Sequence, residues 1–226
     1  YGHFRPDGRE YVITDPRTPR PWVNVIGNGD YGLVVSQTGG GYSFRGNAGQ
    51  NRITRSFQDL VKDNWGRFVY LRDREDGSFW SATWKPVGAP YDRYQVRHGF
   101  GYTVFEMECR GIRSDLAMFV APDAPCEIWT LRLENRGAAL RRLDVTTWFE
   151  WLLGQAPDEH REFHRLFIET AYRADLSALT ARKHLWGFPD GKGRWNNVSW
   201  PYTAFLACSR APSSFDADKE SFLGQY

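Results

Sequence analysis

The sequence predicts an all-β chain folded as a large antiparallel β-sandwich. Short runs of β-branched and aromatic residues recur along its length, separated by Gly, Pro and Asn. No stretch carries the apolar spacing of a convincing amphipathic helix. Strands at this density, with turns between them, are typical of sandwiches and barrels. Because 41% of the 226 residues are hydrophobic, a sizeable core is expected, and we predict one domain over residues 1–226.

In the first half of the chain, strands are predicted where apolar residues lie between Pro and Gly, at residues 11–14, 22–26, 33–36 and 68–71. Gly27, Gly29 and Gly32 spell the G-x-G-x-x-G pattern of dinucleotide-binding loops. The following residues are typical of strand and turn rather than helix, and no acidic residue lies at the distance that ribose binding requires. We therefore interpret these three residues as turn glycines.

In the second half, two pairs of strands predict two hairpins. Residues 101–109 and 113–120 flank Arg110-Gly111-Ile112, and residues 127–134 and 143–151 flank Asn135-Arg136-Gly137. Further strands are predicted at residues 163–172 and 202–208. A turn or two of helix is expected only at residues 158–165, and an exposed loop at residues 187–197.

Charge and composition exclude several kinds of partner. The 29 basic and 27 acidic residues are interspersed, with a net charge of +2. This argues against nucleic acid, because phosphate-binding proteins concentrate positive charge. The mean hydropathy is -0.58 and no long apolar run is present, so neither a transmembrane helix nor a membrane partner is predicted. The N-terminus lacks the pattern of a signal peptide.

The cysteines and histidines do not predict a metal site. Cys109, Cys126 and Cys208 are odd in number and widely spaced, which favours free, buried thiols in a reducing cytoplasm. His160 and His164 are four residues apart in HREFH, but Arg follows the first His where a metalloprotease requires Glu. No third ligand lies at a recognisable spacing, so this segment is predicted to be an exposed polar turn.

Two stretches are candidates for ligand contact. The chain has 10 Trp, 11 Tyr and 15 Phe, and such rings fill cores but also suit the apolar face of a sugar. In VRHGFGYT, we expect His98 to bond to the backbone rather than to a ligand. In GGGYSFRGNAGQNRITR, glycines permit close backbone approach and Arg supplies forked donors. Functional and structural roles are equally supported there for Tyr42, Phe44, Arg45, Asn47, Asn51 and Arg52.

Seven short motifs, in order, carry a family resemblance: YGHF at residue 1, REYVIT at 9, PWVNVIGNGDYG at 21, GGYSF at 40, RITR at 52, VRHGFGYT at 96 and FVAP at 119. Together they resemble the inverting disaccharide phosphorylases of glycoside hydrolase family 94, the cellobiose and cellodextrin phosphorylases. The resemblance implies an N-terminal supersandwich linked by helices to an (α/α)6 barrel that this chain lacks. The last residues are typical of mid-domain sequence, so we expect the domain to be incomplete at its C-terminal end.

The resemblance also implies the reaction. In such enzymes, inorganic phosphate attacks the anomeric carbon with inversion, while an Asp of the barrel protonates the leaving oxygen. Phosphate is the co-substrate, and no other cofactor is expected. No catalytic residue is therefore expected within this chain, which alone is expected to be inactive. The family further implies an oligosaccharide substrate, a homodimer and a cytoplasmic location.

Four residues are implied to bind substrate. The segment EFHR resembles the family stretch N-F-Q-R, whose Arg reaches the acceptor-side sugar, and this gives that role to Arg165 with His164 as its neighbour. Tyr42, within GGYSF, is also expected to bind substrate. Many members carry Tyr directly after this motif, but Arg45 stands there in this chain. The acceptor preference is therefore expected to differ from that of plain cellobiose.

Other functions remain open. NRITR and FEWLLG are similar to the phosphorylase-like end of cyclic β-1,2-glucan synthases, so a phosphorylase acting on β-1,2-glucans is one alternative. A phosphorylase that takes a disaccharide with an acidic acceptor sugar is another. A non-catalytic carbohydrate-binding module, holding glucans on Trp and Tyr, is a third.

Overall fold

The structure, a computed structural model, describes residues 1–56, 62–156, 164–184, 192–194 and 198–224, and only the backbone of His164 and Arg165. The chain divides into two compact units. Unit 1 comprises Tyr1–Ala48 and Thr54–Glu150, and unit 2 comprises Gly49–Ile53 and Trp151–Tyr226.

Almost all regular structure in the described residues is β-strand. The strands of unit 1 are β1 (Gly2–Phe4), β2 (Glu10–Ile13), β3 (Val23–Gly27), β4 (Tyr31–Ser36), β5 (Gly41–Arg45), β7 (Arg67–Asp73), β8 (Phe79–Ser81), β9 (Arg93–Gly99), β10 (Tyr102–Cys109), β11 (Ile112–Val120), β12 (Glu127–Asn135) and β13 (Leu143–Phe149). The short strand β6 (Arg52–Thr54) contains the boundary between the units. Unit 2 contains β14 (Trp151–Gly154), β15 (Ile168–Arg173), β16 (Ala178–Lys183) and β17 (Ala204–Ala207).

The largest sheet of unit 1 has the order β1-β2-β9-β10-β11-β12, with every neighbouring pair antiparallel. Along β10 and β11, buried and half-buried residues alternate strictly. This period of two places apolar side chains on one face and charged side chains on the other. The buried face supplies core residues such as Phe105, Met107, Leu116 and Met118.

A second layer covers this apolar face. Strands β3, β4 and β5 form consecutive antiparallel pairs, and β3 and β4 lie against β10, β11 and β12. The order β13-β7-β8 describes the remaining sheet of unit 1. Side chains of these strands that are nearly inaccessible to solvent include Leu33, Val35, Phe68, Leu71 and Trp80. Packed antiparallel sheets with a shared core confirm the predicted β-sandwich.

Unit 2 is smaller, and its main sheet has the order β15-β16-β17. Two side-chain hydrogen bonds fix its interior: Lys183 Nζ donates to the Leu152 carbonyl over 3.2 Å, and Trp200 Nε1 donates to Asn51 Oδ1 over 2.8 Å. Each bond joins segments distant in sequence, so polar groups as well as apolar packing define this unit.

A short helix near the end of the chain was not expected from the sequence. Helix α1 (Lys219–Leu223) begins after Asp218, whose side chain accepts from the Ser221 backbone N–H, and it ends at Gly224 in the left-handed conformation. Both are standard helix boundaries. With five residues and no buried side chain, α1 has too short an apolar pattern to be recognised. No helix in the described ranges is long and apolar enough to cross a membrane.

The first predicted hairpin is confirmed and the second is wrong. β10 pairs with β11 through Cys109 and Ile112, and Arg110 and Gly111 both have positive φ, as tight hairpin turns require. β12 instead pairs with β11, and β13 pairs with β7. The connection between β12 and β13 therefore moves the chain from one sheet to another.

Side-chain bonds hold this connection in place. Asn135 uses its amide within the loop, donating to the Ala139 carbonyl and accepting from the Gly137 N–H. Arg141 then forms an ion pair with the buried carboxylate of Asp73, at the end of β7. This long-range pair joins the connection to the end of β7, where the pairing of β13 begins at Leu143 and Asp73.

Other predicted elements are shorter than expected. A 3₁₀ turn (His164–Phe167) precedes β15, so the strand predicted at residues 163–172 begins only at Ile168. The strand predicted at 202–208 is confirmed over Ala204–Ala207. Residues 158–163 and most of the loop predicted at 187–197 lie outside the described residues.

The cysteine prediction is only partly right. All three cysteines are free thiols, and Cys109 is buried. Cys126 is half-buried and Cys208 is exposed, so burial was a wrong expectation for Cys208. Cys208 directly follows the end of β17, where the chain leaves its sheet.

Candidate functional site

The Gly-rich turn between β4 and β5 sets the position of the predicted Tyr42 and Arg45. Gly41 has a φ of +136°, and an added Cβ there would lie 2.0 Å from the Val34 carbonyl oxygen. That oxygen belongs to the backbone of the neighbouring strand, which cannot move without separating β4 from β5. Glycine is therefore required at Gly41 for β5 to start in this register.

Asp63 forms hydrogen bonds to the same turn. Its carboxylate accepts hydrogen bonds from the hydroxyls of Ser36 and Thr38, both of which are buried. Asp63 has a φ of +40°, which is uncommon for a residue other than glycine. No sequence signal marked this residue, because its partners are 25 and 27 positions away.

Tyr42 and Phe44 lie on one face of β5, while Ser43 between them points into the interior. The ring of Phe44 lies over Gly32 of β4, where an added Cβ would be 2.1 Å from the ring. The two ring centroids are 6.2 Å apart. This face of β5 therefore presents two neighbouring, half-buried aromatic rings, a suitable platform for an apolar molecular face.

Arg45 ends the same strand and is held by Asp30. Arg45 Nε donates to Asp30 Oδ1 and Arg45 Nη2 to Asp30 Oδ2, both over 3.1 Å. The two side chains are 31% and 54% exposed. The pair forms because the register sets Arg45 opposite Tyr31, the residue after Asp30. The bidentate geometry fixes the guanidinium plane at the surface.

A buried polar network lies on the inner side of β5. Ser43 Oγ donates to Glu127 Oε1 over 3.0 Å, and Arg67 Nε lies 3.2 Å from the same oxygen. Tyr31 is next to this network, and burial, with the nearby Glu127 carboxylate, raises the pKa of its phenol. The strand that carries the candidate residues is therefore anchored to charged groups in the core.

His164 and Arg165 lie in the 3₁₀ turn that precedes β15 in unit 2. Their side chains lie outside the described part of the structure, and their binding role stays a prediction. Tyr42 and Arg45 are close together on β5 in unit 1.

His98 has the structural role that the sequence predicted. Its Nε2 lies 3.0 Å from the Trp22 carbonyl oxygen and its Nδ1 lies 3.0 Å from Thr103 Oγ1. A carbonyl can only accept, so Nε2 carries the proton and Nδ1 accepts from Thr103. Asn24 completes the network by donating to Thr103 Oγ1 over 3.2 Å. His98 is thus a satisfied interior histidine joining β9 to the segment before β3.

This network makes stability depend on pH. Burial lowers the pKa of His98 from 6.5 to about 4, so below pH 6.5 the unfolded chain binds a proton that the folded chain excludes. We expect the free energy of unfolding to fall by up to about 3 kcal/mol between pH 6.5 and pH 4. Urea titrations across this range measure it. A His98→Gln variant should lose this dependence, and an equal pH slope in both proteins would contradict it.

An open groove of about 630 Å³ is lined in unit 1 by Ile26, Gly27, Asn28, Gly101, Tyr102, Phe119, Val120 and Pro122. The Asn28 amide is already occupied, because its Nδ2 donates to the carbonyls of Ala121 and Ala124. Its Oδ1 accepts from the N–H groups of Asp30 and Tyr31. Because the Asn28 amide is already paired within the protein, we assign the groove no ligand. Among the residues that the structure describes, no three His, Cys, Asp or Glu side chains are grouped to bind a metal ion.

The packed antiparallel sheets of unit 1, in which β5 carries Tyr42, Phe44 and Arg45, are those of a β-sandwich domain. The chain belongs to glycoside hydrolase family 94: the family model described as "Glycosyl hydrolase 94, supersandwich domain" matches residues 9–226. This confirms the family that the sequence motifs indicated. Of the three predicted turn glycines, Gly29 lies in the β3–β4 turn, whereas Gly27 and Gly32 are paired strand residues, so the turn prediction was wrong for these two.

Several relatives match nearly all of the chain. It is 38% identical to a 3-O-beta-D-glucopyranosyl-beta-D-glucuronide phosphorylase of Paenibacillus borealis, over 99% of this chain and 27% of the relative. It is 32% identical to an N,N'-diacetylchitobiose phosphorylase of Vibrio proteolyticus, over 100% of this chain and 27% of that relative. A solabiose phosphorylase of Paenibacillus borealis is also 32% identical, over 100% of this chain and 28% of that relative. The chain therefore spans about a quarter of the length of these relatives.

Proposed function

We propose that this chain is the sandwich domain of an inverting phosphorylase that cleaves a β-linked disaccharide or oligosaccharide with phosphate. The product is an α-sugar 1-phosphate, and this domain shapes the acceptor-sugar site and a homodimer in the cytoplasm. The observation that carries the proposal is a match along the whole chain to relatives that are themselves phosphorylases. The proposal requires no cofactor besides the co-substrate phosphate.

The proposed reaction requires only one catalytic side chain from the protein. An inverting hydrolase needs an acid for the leaving oxygen and a base that activates water. Phosphate is already a nucleophilic anion, so the base is dispensable and a single protein acid suffices. We place that acid outside this chain, in the barrel that the family resemblance implies.

The β5 face suits the acceptor role. A pyranose has an apolar face that packs on an aromatic ring, as Tyr42 and Phe44 would allow, and hydroxyls that need hydrogen-bond partners. The adjacent Arg45–Asp30 pair carries donors and acceptors in fixed directions. Both kinds of contact belong to one strand of unit 1, with Arg45 at its end on the face opposite the two rings.

Three classes of substrate are candidates for this enzyme. Cellobiose or cello-oligosaccharides follow from the family resemblance. A disaccharide with an acidic acceptor is the alternative with a specific observation in its favour. Arg45 stands where many members carry Tyr, and the glucuronide phosphorylase is 38% identical to this chain. A phosphorylase of β-1,2-glucans is a further candidate, since a cyclic beta-(1,2)-glucan synthase of Rhizobium meliloti is 32% identical over 100% of the chain.

Phosphorolysis assays test the activity. The protein that contains this chain is incubated with phosphate and a panel of β-linked glucosyl disaccharides ending in glucose or glucuronic acid. We expect phosphate-dependent release of a sugar 1-phosphate whose anomeric NMR signal is that of the α configuration. Cleavage without phosphate would contradict a phosphorylase, and oligosaccharide binding without cleavage would favour the carbohydrate-binding module.

Arg45 and Asp30 variants test acceptor selectivity. Arg45→Tyr removes the cation, so we expect the KM for a glucuronic acid acceptor to rise about tenfold relative to that for glucose. Asp30→Asn removes the competing carboxylate and should lower the KM for the acidic acceptor. Synthetic-direction kinetics with both acceptors measure the ratio.

The matched control is Arg17→Ala, because Arg17 forms a similar bidentate pair with Asp15 on the surface of the same unit. It should leave the KM ratio unchanged. An unchanged ratio in Arg45→Tyr as well would remove Arg45 from the acceptor site.

A further inference from the structure

Arg67, Glu127 and Trp129 form a buried polar cluster in unit 1. The side chain of Arg67 is 1% exposed and that of Glu127 is 9% exposed. The guanidinium carbon of Arg67 lies 5.5 Å from the centre of the Trp129 ring. Glu127 and Trp129 are two residues apart on β12, so their side chains leave the strand on the same side and both meet Arg67.

The hydrogen bonds within this cluster are incomplete. Among the described residues, buried atoms without a hydrogen-bond partner include Arg67 Nε and Nη1, Glu127 Oε2 and Trp129 Nε1. Arg67 Nε is close to Glu127 Oε1 at 3.2 Å, but the N–H bond is not aligned with that oxygen. Arg67 Nη2 reaches the Val34 carbonyl only at 3.4 Å. Such groups cost free energy unless a partner satisfies them.

The atoms without a hydrogen-bond partner define the chemistry of a ligand that would pair with them. Arg67 and Trp129 offer N–H donors, whereas Glu127 offers a carboxylate acceptor. An anion would be repelled by Glu127 and a cation by Arg67. A neutral hydroxyl group, which donates and accepts, complements both. Because these atoms are inaccessible to solvent, the ligand must be small enough to reside in the core, as an internal water molecule does.

We infer that Arg67, Glu127 and Trp129 form a buried hydration site that takes one water molecule. The site also positions β5, because Glu127 Oε1 accepts from Ser43 Oγ, and Ser43 lies between Tyr42 and Phe44. The bound water completes the bonds that orient the Glu127 carboxylate towards Ser43. This inference depends on the contacts within unit 1 and not on the proposed activity.

A crystal structure at a resolution that orders internal solvent tests the site. We expect one solvent oxygen within hydrogen-bonding distance of Trp129 Nε1 and of at least one atom among Arg67 Nη1 and Glu127 Oε2. Direct pairing of these atoms with other protein groups, with no solvent oxygen, would overturn the inference.

Two further measurements keep the result unambiguous. In crystals soaked with bromide, we expect no anomalous peak at the cluster, and a peak there would identify an anion site instead. In Trp129→Phe, which keeps an aromatic ring but loses the N–H, the water should remain on Arg67 and Glu127, since such waters bond to two to four partners. Loss of the water with an intact Arg67–Glu127 pair would contradict the site.

Discussion

Replacing Glu127 with Ala is expected to lower the free energy of unfolding by about 3–5 kcal/mol. The change leaves the Arg67 guanidinium, which is 1% exposed, without its counter-ion in the core. It also removes the acceptor for the Ser43 hydroxyl. Denaturant titration of variant and parent measures the difference.

Glu134→Ala is the matched control, because Glu134 lies on the same strand and pairs with Arg136 at the surface over 3.2 Å. An exposed pair of this kind contributes less than about 1 kcal/mol. A double variant, Arg67→Met with Glu127→Leu, should recover much of the loss because no buried charge remains. Equal losses for Glu127→Ala and Glu134→Ala would show that the cluster is not a buried ion pair.

Replacing Gly41 with Ala is expected to cost about 3 kcal/mol or more. The methyl group would lie 2.0 Å from the Val34 carbonyl oxygen, and φ is +136°. The strain is relieved only if β5 moves away from β4. Since Tyr42 and Arg45 follow directly on β5, we expect acceptor binding to weaken together with stability.

Gly46→Ala provides the comparison at the other end of β5. Gly46 has a φ of +63°, but an added Cβ meets no atom within 4 Å. Its cost is therefore limited to the left-handed conformation, about 1–2 kcal/mol. Thermal unfolding of both variants separates the backbone clash from the conformational cost, and a smaller loss at Gly41 than at Gly46 would contradict the close approach.

The sequence predicted those parts of the fold that depend on neighbouring residues. The β10–β11 hairpin was predicted from two strand-forming runs on either side of a short turn at Arg110-Gly111. Both turn residues have positive φ in the structure. The predicted β12–β13 hairpin carried a similar local signal but is wrong. β13 instead pairs with β7, and the connection meets β7 through Arg141 and Asp73, 68 positions apart. Local patterns do not report such distant pairs.

The candidate site shows the same division. Tyr42 and Arg45 were singled out because a Gly-rich turn beside aromatic and Arg residues is a local signal, and their binding role stays a prediction. Asp30 and Asp63 were missed because Asp30 meets Arg45 only through strand register, and Asp63 meets the β4–β5 turn only through loop packing. The Arg67–Glu127 pair was also missed, since charged residues in a sequence are usually exposed and nothing local marks these two as buried.

Arg165→Ala tests the central claim, that this domain contributes to the acceptor-sugar site of a phosphorylase. KM values for acceptor and for sugar 1-phosphate are measured in the synthetic direction, with an unfolding curve to verify the fold. Arg173→Ala is the control, because Arg173 ends β15 and forms an exposed ion pair with Asp175. We predict that Arg165→Ala raises the acceptor KM about tenfold or more and leaves the KM for sugar 1-phosphate unchanged. Parental acceptor kinetics in a folded Arg165→Ala protein would contradict the claim.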